Sequence, residues 1–100
     1  MYHTVYTNVM DFEWDEGNSN KNLKSHTVAN SEAEEAFFDS DKVQYPDLGH
    51  SQSEQRFILI GKTQKARLLF VVYTTRKNKV RVISARDLNK KEIFLYEKNT

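Results

Sequence analysis

Apolar positions along this chain fall at two different spacings, and the change between them divides it into two parts. Before residue 40 the spacing is three and four: Ala33, Ala36 and Phe37 place one apolar face on a helix. Ser31 followed by Glu34 fits a capping box, and the helix should end near Asp39. From Val43 onward the period is that of strands. A strand at 42–45 stops at Pro46, and Pro46 to Ser51 reads as a loop. Arg56–Gly61, Arg67–Thr74 and Lys79–Ala85 follow as strands. The turns between them, Lys62–Lys65 and Thr75–Asn78, are short enough to force antiparallel neighbours. Leu68 to Tyr73 is apolar on both faces, which marks a central strand.

The ends are read in the same way. Phe12 and Trp14 alternate with acids as a short half-buried strand would. Asp15 offers an N-cap for a helix at 15–26, which Gly17 and three asparagines weaken. Asp87 offers a cap for a last helix at 87–98, with Leu88, Phe94 and Leu95 as its apolar contacts. The predicted order is β-α-α-β-β-β-β-α. That is an α+β fold: an antiparallel sheet of about four strands, two N-terminal helices and one C-terminal helix. Residues 11–100 form one domain. Residues 1–10 read as an N-terminal extension, either a short strand through Tyr2, Val5, Tyr6 and Val9 or a flexible segment.

Composition narrows the class. One hundred residues, 38% of them hydrophobic, support one modest core and no second domain. The longest apolar run, Leu68 to Tyr73, is far too short to span a bilayer, so no membrane role is expected. No charged start runs into an apolar stretch, so no signal peptide is expected. Without cysteine there are no disulfides or thiolate metal sites. A soluble cytoplasmic protein follows as the expectation. The net charge of +1 hides an asymmetry. Residues 1–55 carry three basic and eleven acidic side chains, while residues 56–100 carry twelve basic and three acidic. Either the C-terminal half presents a surface to a polyanion, or the two halves neutralise one another across the fold.

Six blocks in a fixed order carry a family resemblance. They are Phe12-Glu13-Trp14-Asp15-Glu16; Asn22-Leu23-Lys24-Ser25-His26; and Glu34-Glu35-Ala36 with Phe38-Asp39. Then come Asp47, His50-Ser51 and Glu54-Gln55-Arg56-Phe57, with Ile60-Gly61. Arg67 to Thr74 with Arg76 forms the fifth block, and Arg81-Val82-Ile83-Ser84-Ala85-Arg86 with Glu92 and Tyr96 the sixth. Across residues 12–96 the chain resembles the BrnT family of toxins. It departs from the family pattern at Thr27, where a helix-capping glycine is usual, at Thr75 and at Leu88. The resemblance implies a RelE-like fold and an endoribonuclease that cleaves RNA and inhibits translation. It also implies a BrnA-type antitoxin partner, with operator DNA reached only through the antitoxin complex.

Metal-independent RNA cleavage needs a proton acceptor, a proton donor and cations on a phosphorane whose charge grows in the transition state. The planar fork of arginine suits the last role. Arg76 and Arg86 are the catalytic candidates for it, and His26 is the proton-transfer candidate because imidazole exchanges protons near neutrality. Lys24, Arg81 and Ser84 are candidates for binding RNA. On an ideal strand Ser84 and Arg86 share a face, and Arg81 points to the other. Asn22, one turn before His26, is placed to orient it, and Glu92 and Tyr96 share a helix face from which they brace the arginines. Each has a plainer reading: a histidine at a helix end is often a dipole partner, and a turn arginine is often a solvated charge. Trp14 reads as core. No metal-ligand spacing or glycine-rich phosphate loop occurs, so no metal and no cofactor is expected. The competing reading is a non-catalytic module that binds nucleic acid or a protein through the basic half.

Overall fold

The computed structural model describes residues 11–50 and 54–97. The expectations for residues 1–10, for Ser51 in the loop and for residue 98 at the end of the last helix lie outside these. The strands are β1 (Asp11–Phe12), β2 (Val43–Pro46), β3 (Phe57–Lys62), β4 (Leu68–Arg76) and β5 (Lys79–Asp87). The helices are α1 (Lys21–His26), α2 (Asn30–Ala36) and α3 (Lys90–Glu97). The order along the chain is the predicted one, with a 3-10 turn at Leu48–His50 added.

The sheet is five-stranded and mixed, in the order β1-β5-β4-β3-β2. The expected antiparallel sheet of about four strands therefore describes β2 to β5, and the predicted first strand, β1, adds a fifth that is parallel. That strand joins the far edge in parallel, with Asp11 beside Lys79 and Phe12 beside Val80. The chain leaves it through two helices and then β2 to β4 before reaching β5, a connection long enough to permit parallel pairing. The hairpin between β4 and β5 closes through Lys77 and Asn78, both at positive φ (50° and 67°). This pair of left-handed residues matches the twist of the strands it joins.

All three helix starts differ from the pattern-based ones. Residues 15–20 are turns and α1 begins at Lys21. Asp15 is not its cap; its Oδ1 accepts the Gly17 N–H at 2.8 Å. Asn18 holds the turn to the sheet, donating from Nδ2 to the carbonyls of Glu13 (3.0 Å) and Val82 (2.9 Å). Short polar side chains that bond nearby backbone compete with helix, which explains the shortening. At α2 the acid that reaches back is Glu32, accepting the Ala29 N–H at 2.9 Å. Glu34 instead accepts from Trp14 Nε1 at 2.7 Å. At α3 the capping box is Asn89 and Glu92, each side chain accepting the other's backbone N–H at 2.9 and 3.0 Å. Asp87 ends β5 and turns to Arg67.

Helices α1 and α2 cover one face of the sheet. Val28, Ala33, Ala36 and Phe37 pack there against Leu59, Leu69, Val71, Val82 and Ala85. Phe37 meets the ring of Tyr73 edge-on at 5.0 Å. Gly61 permits this approach: a Cβ there would press into the Ala36 carbonyl oxygen. Trp14 is half-buried against the same core. Helix α3 lies across part of the opposite face, where the Lys62 ammonium sits 5.6 Å over the Tyr96 ring. No described helix is long and apolar enough to cross a membrane.

Candidate functional site

Strand register decides which side chains share the sheet face that α1 and α2 leave uncovered. Residues directly opposite one another in a ladder point to the same side. Phe70 lies opposite Ile60 and Arg86, and Val72 lies opposite Ile58 and Ser84. Thr74 lies opposite Arg81, and Tyr45 opposite Ile58. These residues form rows across the sheet, spaced about 7 Å apart along the strands.

A bulge on β5 assembles this face. Val72 pairs with Ser84 but Tyr73 pairs with Val82, so Ile83 is an extra residue. Its effect is to shift the alternation by one. Val80, Val82 and Ala85 all point into the core, and Arg81, Ser84 and Arg86 all point to the open face. The expectation that Arg81 faces away from Ser84 assumed an ideal strand, and the bulge overturns it.

Each of these arginines is held by carboxylates. Arg86 makes two 2.8 Å bonds to Glu92, and its guanidinium stacks 4.1 Å from the Phe70 ring centre. Arg81 bonds Asp15 at 2.8 and 3.0 Å and Glu13 at 3.1 Å. Arg76 bonds Glu54 at 2.8 and 2.9 Å. The Arg86 guanidinium beside Glu92 holds that carboxyl below its ordinary range, and Arg76 and Arg81 do the same for Glu54 and Asp15. Of the two charge readings, neutralisation across the halves is therefore realised at Arg76 and Arg81, whose partners all lie before residue 56. The forks stay oriented, and surface pairs of this kind are weakened by solvent screening, so a phosphate can exchange with the carboxylate.

Between these arginines the open face is concave. A hollow of about 320 Å³ has Ile58, Phe70, Val72 and Ile83 as its floor. Asp47, Arg56 and Ser84 form its rim. Asp47 and Arg56 are brought side by side by the continuation of the β2–β3 ladder, in which the Asp47 N–H donates to the Arg56 carbonyl at 2.8 Å.

A family model described as the BrnT ribonuclease toxin of type II toxin–antitoxin systems matches residues 14–92. The chain belongs to that family. Comparison with curated proteins found no match. The matched span contains β2 to β5 with their hollow and every open-face arginine. Of the candidate site residues only Tyr96 lies beyond it.

Within this BrnT-family chain the candidate residues fall into separate groups. Ser84 and Arg86 share a face, two residues apart. Arg76 is six residues further along β4 from the Arg86 register, about 20 Å away. Side chains of that reach do not meet on one phosphate. His26 is exposed at the end of α1, on the helix side of the sheet. There its carbonyl accepts from Arg67 at 3.1 Å. Thr27 takes the left-handed conformation (φ 56°) in place of the usual glycine, so the helix still ends at His26. Asn22 is buried while His26 and Lys24 are exposed, so Asn22 faces the sheet and the other two face outward. Glu92 grips Arg86, whereas the Tyr96 hydroxyl donates to Asp39 at 2.6 Å, away from the arginines.

Three residues with clear positions here were legible only as letters of the family blocks. Asp47 and Arg56 rim the hollow. Arg67 bonds Asp87, Glu32, Thr27 and the His26 carbonyl, joining α1, α2 and β5. Alternation with Ile58 was the available signal for Arg56; nothing local marked Arg67.

Proposed function

We propose that this chain is a metal-independent endoribonuclease of a toxin–antitoxin pair, cleaving RNA to inhibit translation and neutralised by a BrnA-type antitoxin. The observation that carries this reading is the Arg86 fork, oriented by Glu92 and Phe70 beside Ser84 on an open, arginine-lined face. In it Arg86 stabilises the phosphorane and Ser84 bonds a phosphate oxygen. Arg81 and Arg76 hold flanking phosphates further along the face, and Lys24 extends the basic track over α1. His26 transfers the proton from the helix side of the sheet, with the buried Asn22 anchoring the helix that carries it, and the RNA backbone rounds the sheet to reach it. Glu92 and Tyr96 hold α3 and the arginine in place. Antitoxin binding over the arginines blocks RNA, and operator DNA is contacted through the antitoxin. The protein acts in the cytoplasm, where its RNA is.

The test is cleavage of an end-labelled RNA by the purified chain in EDTA, beside Arg86→Ala. Loss of one cation from a developing oxyanion site costs about 10²–10³ in rate. A drop of that size with retained fold supports the reading, and His26→Ala is next. Equal cleavage by both proteins would sink the Arg86 assignment. Salt-sensitive RNA binding without product would favour the non-catalytic module, a reading to which the carboxylate-paired arginines also lend themselves.

A further inference from the structure

We propose that the open-face hollow is a nucleobase subsite and that it selects guanine. The proposal rests on the ribonuclease reading for its source of RNA, but its geometry is independent of the cleavage step.

The floor of Ile58, Phe70, Val72 and Ile83 is apolar on a surface otherwise set with charges. Single-stranded RNA is recognised by splaying bases onto such platforms while cations hold the backbone. The volume of about 320 Å³ accommodates one purine ring with room for water, and is too small for a stretch of stacked bases. One wall is already a stack, with the Arg86 guanidinium over Phe70. A base entering beside it lies within one row of the side chain assigned to the phosphate, the spacing of a nucleotide's own parts.

The rim decides which base. Asp47 is an acceptor and Arg56 a donor, adjacent across the β2–β3 ladder. Guanine offers adjoining donors at N1 and N2 and adjoining acceptors at O6 and N7, which match a carboxylate and a guanidinium in turn. Adenine has one exocyclic donor and no O6. Uracil and cytosine lack the N7 acceptor and cover less of the floor. Ser84 hydroxyl, at the opposite rim, serves as donor or acceptor and does not discriminate. Asp47 and Arg56 both have partners in the free chain, so guanine gains by exchange, and a lone nucleotide should bind weakly but selectively.

The experiment is an NMR titration of the full chain with 5′-GMP and, separately, 5′-AMP, following the methyl groups of Ile58, Val72 and Ile83. Shifts at these methyls, saturating at about ten-fold lower GMP than AMP, are expected from one well-placed pair of base contacts. Asp47→Asn, nearly isosteric, should remove most of that preference; Val72→Phe, which fills the floor, should abolish both sets of shifts. Thermal unfolding of each variant checks the fold. Equal response to the two nucleotides, shifts elsewhere only, or an unchanged preference in Asp47→Asn would overturn the subsite. GMP selectivity in a chain that cleaves no RNA would uphold the subsite and sink the reaction. Cleavage mapped on RNA should fall beside guanine in the native chain and lose that preference in Asp47→Asn.

Discussion

Arg67 shows how much one side chain can organise. Its guanidinium bonds the Asp87 carboxylate at 2.6 and 3.1 Å and Glu32 at 3.2 Å. It also bonds the carbonyls of His26 and Thr27 at 3.1 and 2.8 Å. The last two lie at the end of α1, where carbonyls lack partners within the helix and a cation naturally satisfies them. Arg67→Ala should lower stability by about 2 kcal/mol, discounting the individual pairs for solvent, read from the urea midpoint. Arg67→Lys should recover only part of this, because an ammonium cannot serve all these acceptors in one plane. Glu92 acts on a different arginine. In Glu92→Gln the Arg86 fork loses its orienting charge but gains net positive potential. Under the proposed function, RNA should bind more tightly while turnover falls, a lower KM with a lower kcat in steady-state cleavage. An unchanged kcat, or a KM that rises, would count against Glu92 as the orienting group.

Among elements, β5 carries the most consequence for its length. Deleting Ile83 would remove the bulge and leave strict alternation, with Val80, Val82 and Ala85 still on the core face and Arg81, Ser84 and Arg86 still on the open one. Retained cooperative unfolding is the expected outcome, checked by circular dichroism and a denaturant titration. Helix α3 offers a gentler test. Its start is set by Asn89 and Glu92, so Asn89→Ala should destabilise by about 1 kcal/mol through the lost cap. Gly61 governs the seating of α2 on β3. Gly61→Ala should cost about 1–3 kcal/mol, since the opposing atom is backbone and cannot swing away. An unchanged midpoint would mean that α2 shifts freely over the sheet.

The whole molecule is tied together by carboxylates, which gives its stability a direction in pH. Burial alone would raise Asp39, but bonds from Tyr96, the Asp41 and Lys62 N–H groups and the Lys62 charge outweigh it, leaving it lowered. Arg67 lowers Asp87, and Arg86 lowers Glu92. A carboxyl lowered in the folded chain stabilises it above the unfolded value of about 4, and that contribution disappears as pH falls through the lower folded value. Stability should therefore be level near neutrality and decline below about pH 4. In Asp39→Asn the deficit relative to the native chain should be largest near neutrality and should shrink in acid. A deficit independent of pH would show that the Asp39 charge contributes nothing.

Local pattern determined the order of elements, the four long strands, the apolar core residues and the blocks that place residues 14–92 in the BrnT family. Those features depend on spacing and side-chain type within a few residues, and spacing is what a sequence displays directly. Tertiary structure alone decided the parallel edge strand β1 and the helix starts. Asp15, Glu34 and Asp87 were each plausible local partners that found a better one elsewhere in the fold. It also decided the faces: one extra residue at Ile83 moved Arg81 beside Ser84, and His26 came to rest on the other side of the sheet from Arg86. A hydrogen bond from Arg81 to a residue more than sixty positions away, or a register shift in a ladder, is an interaction between distant segments. Its energy exists only once the chain has closed on itself.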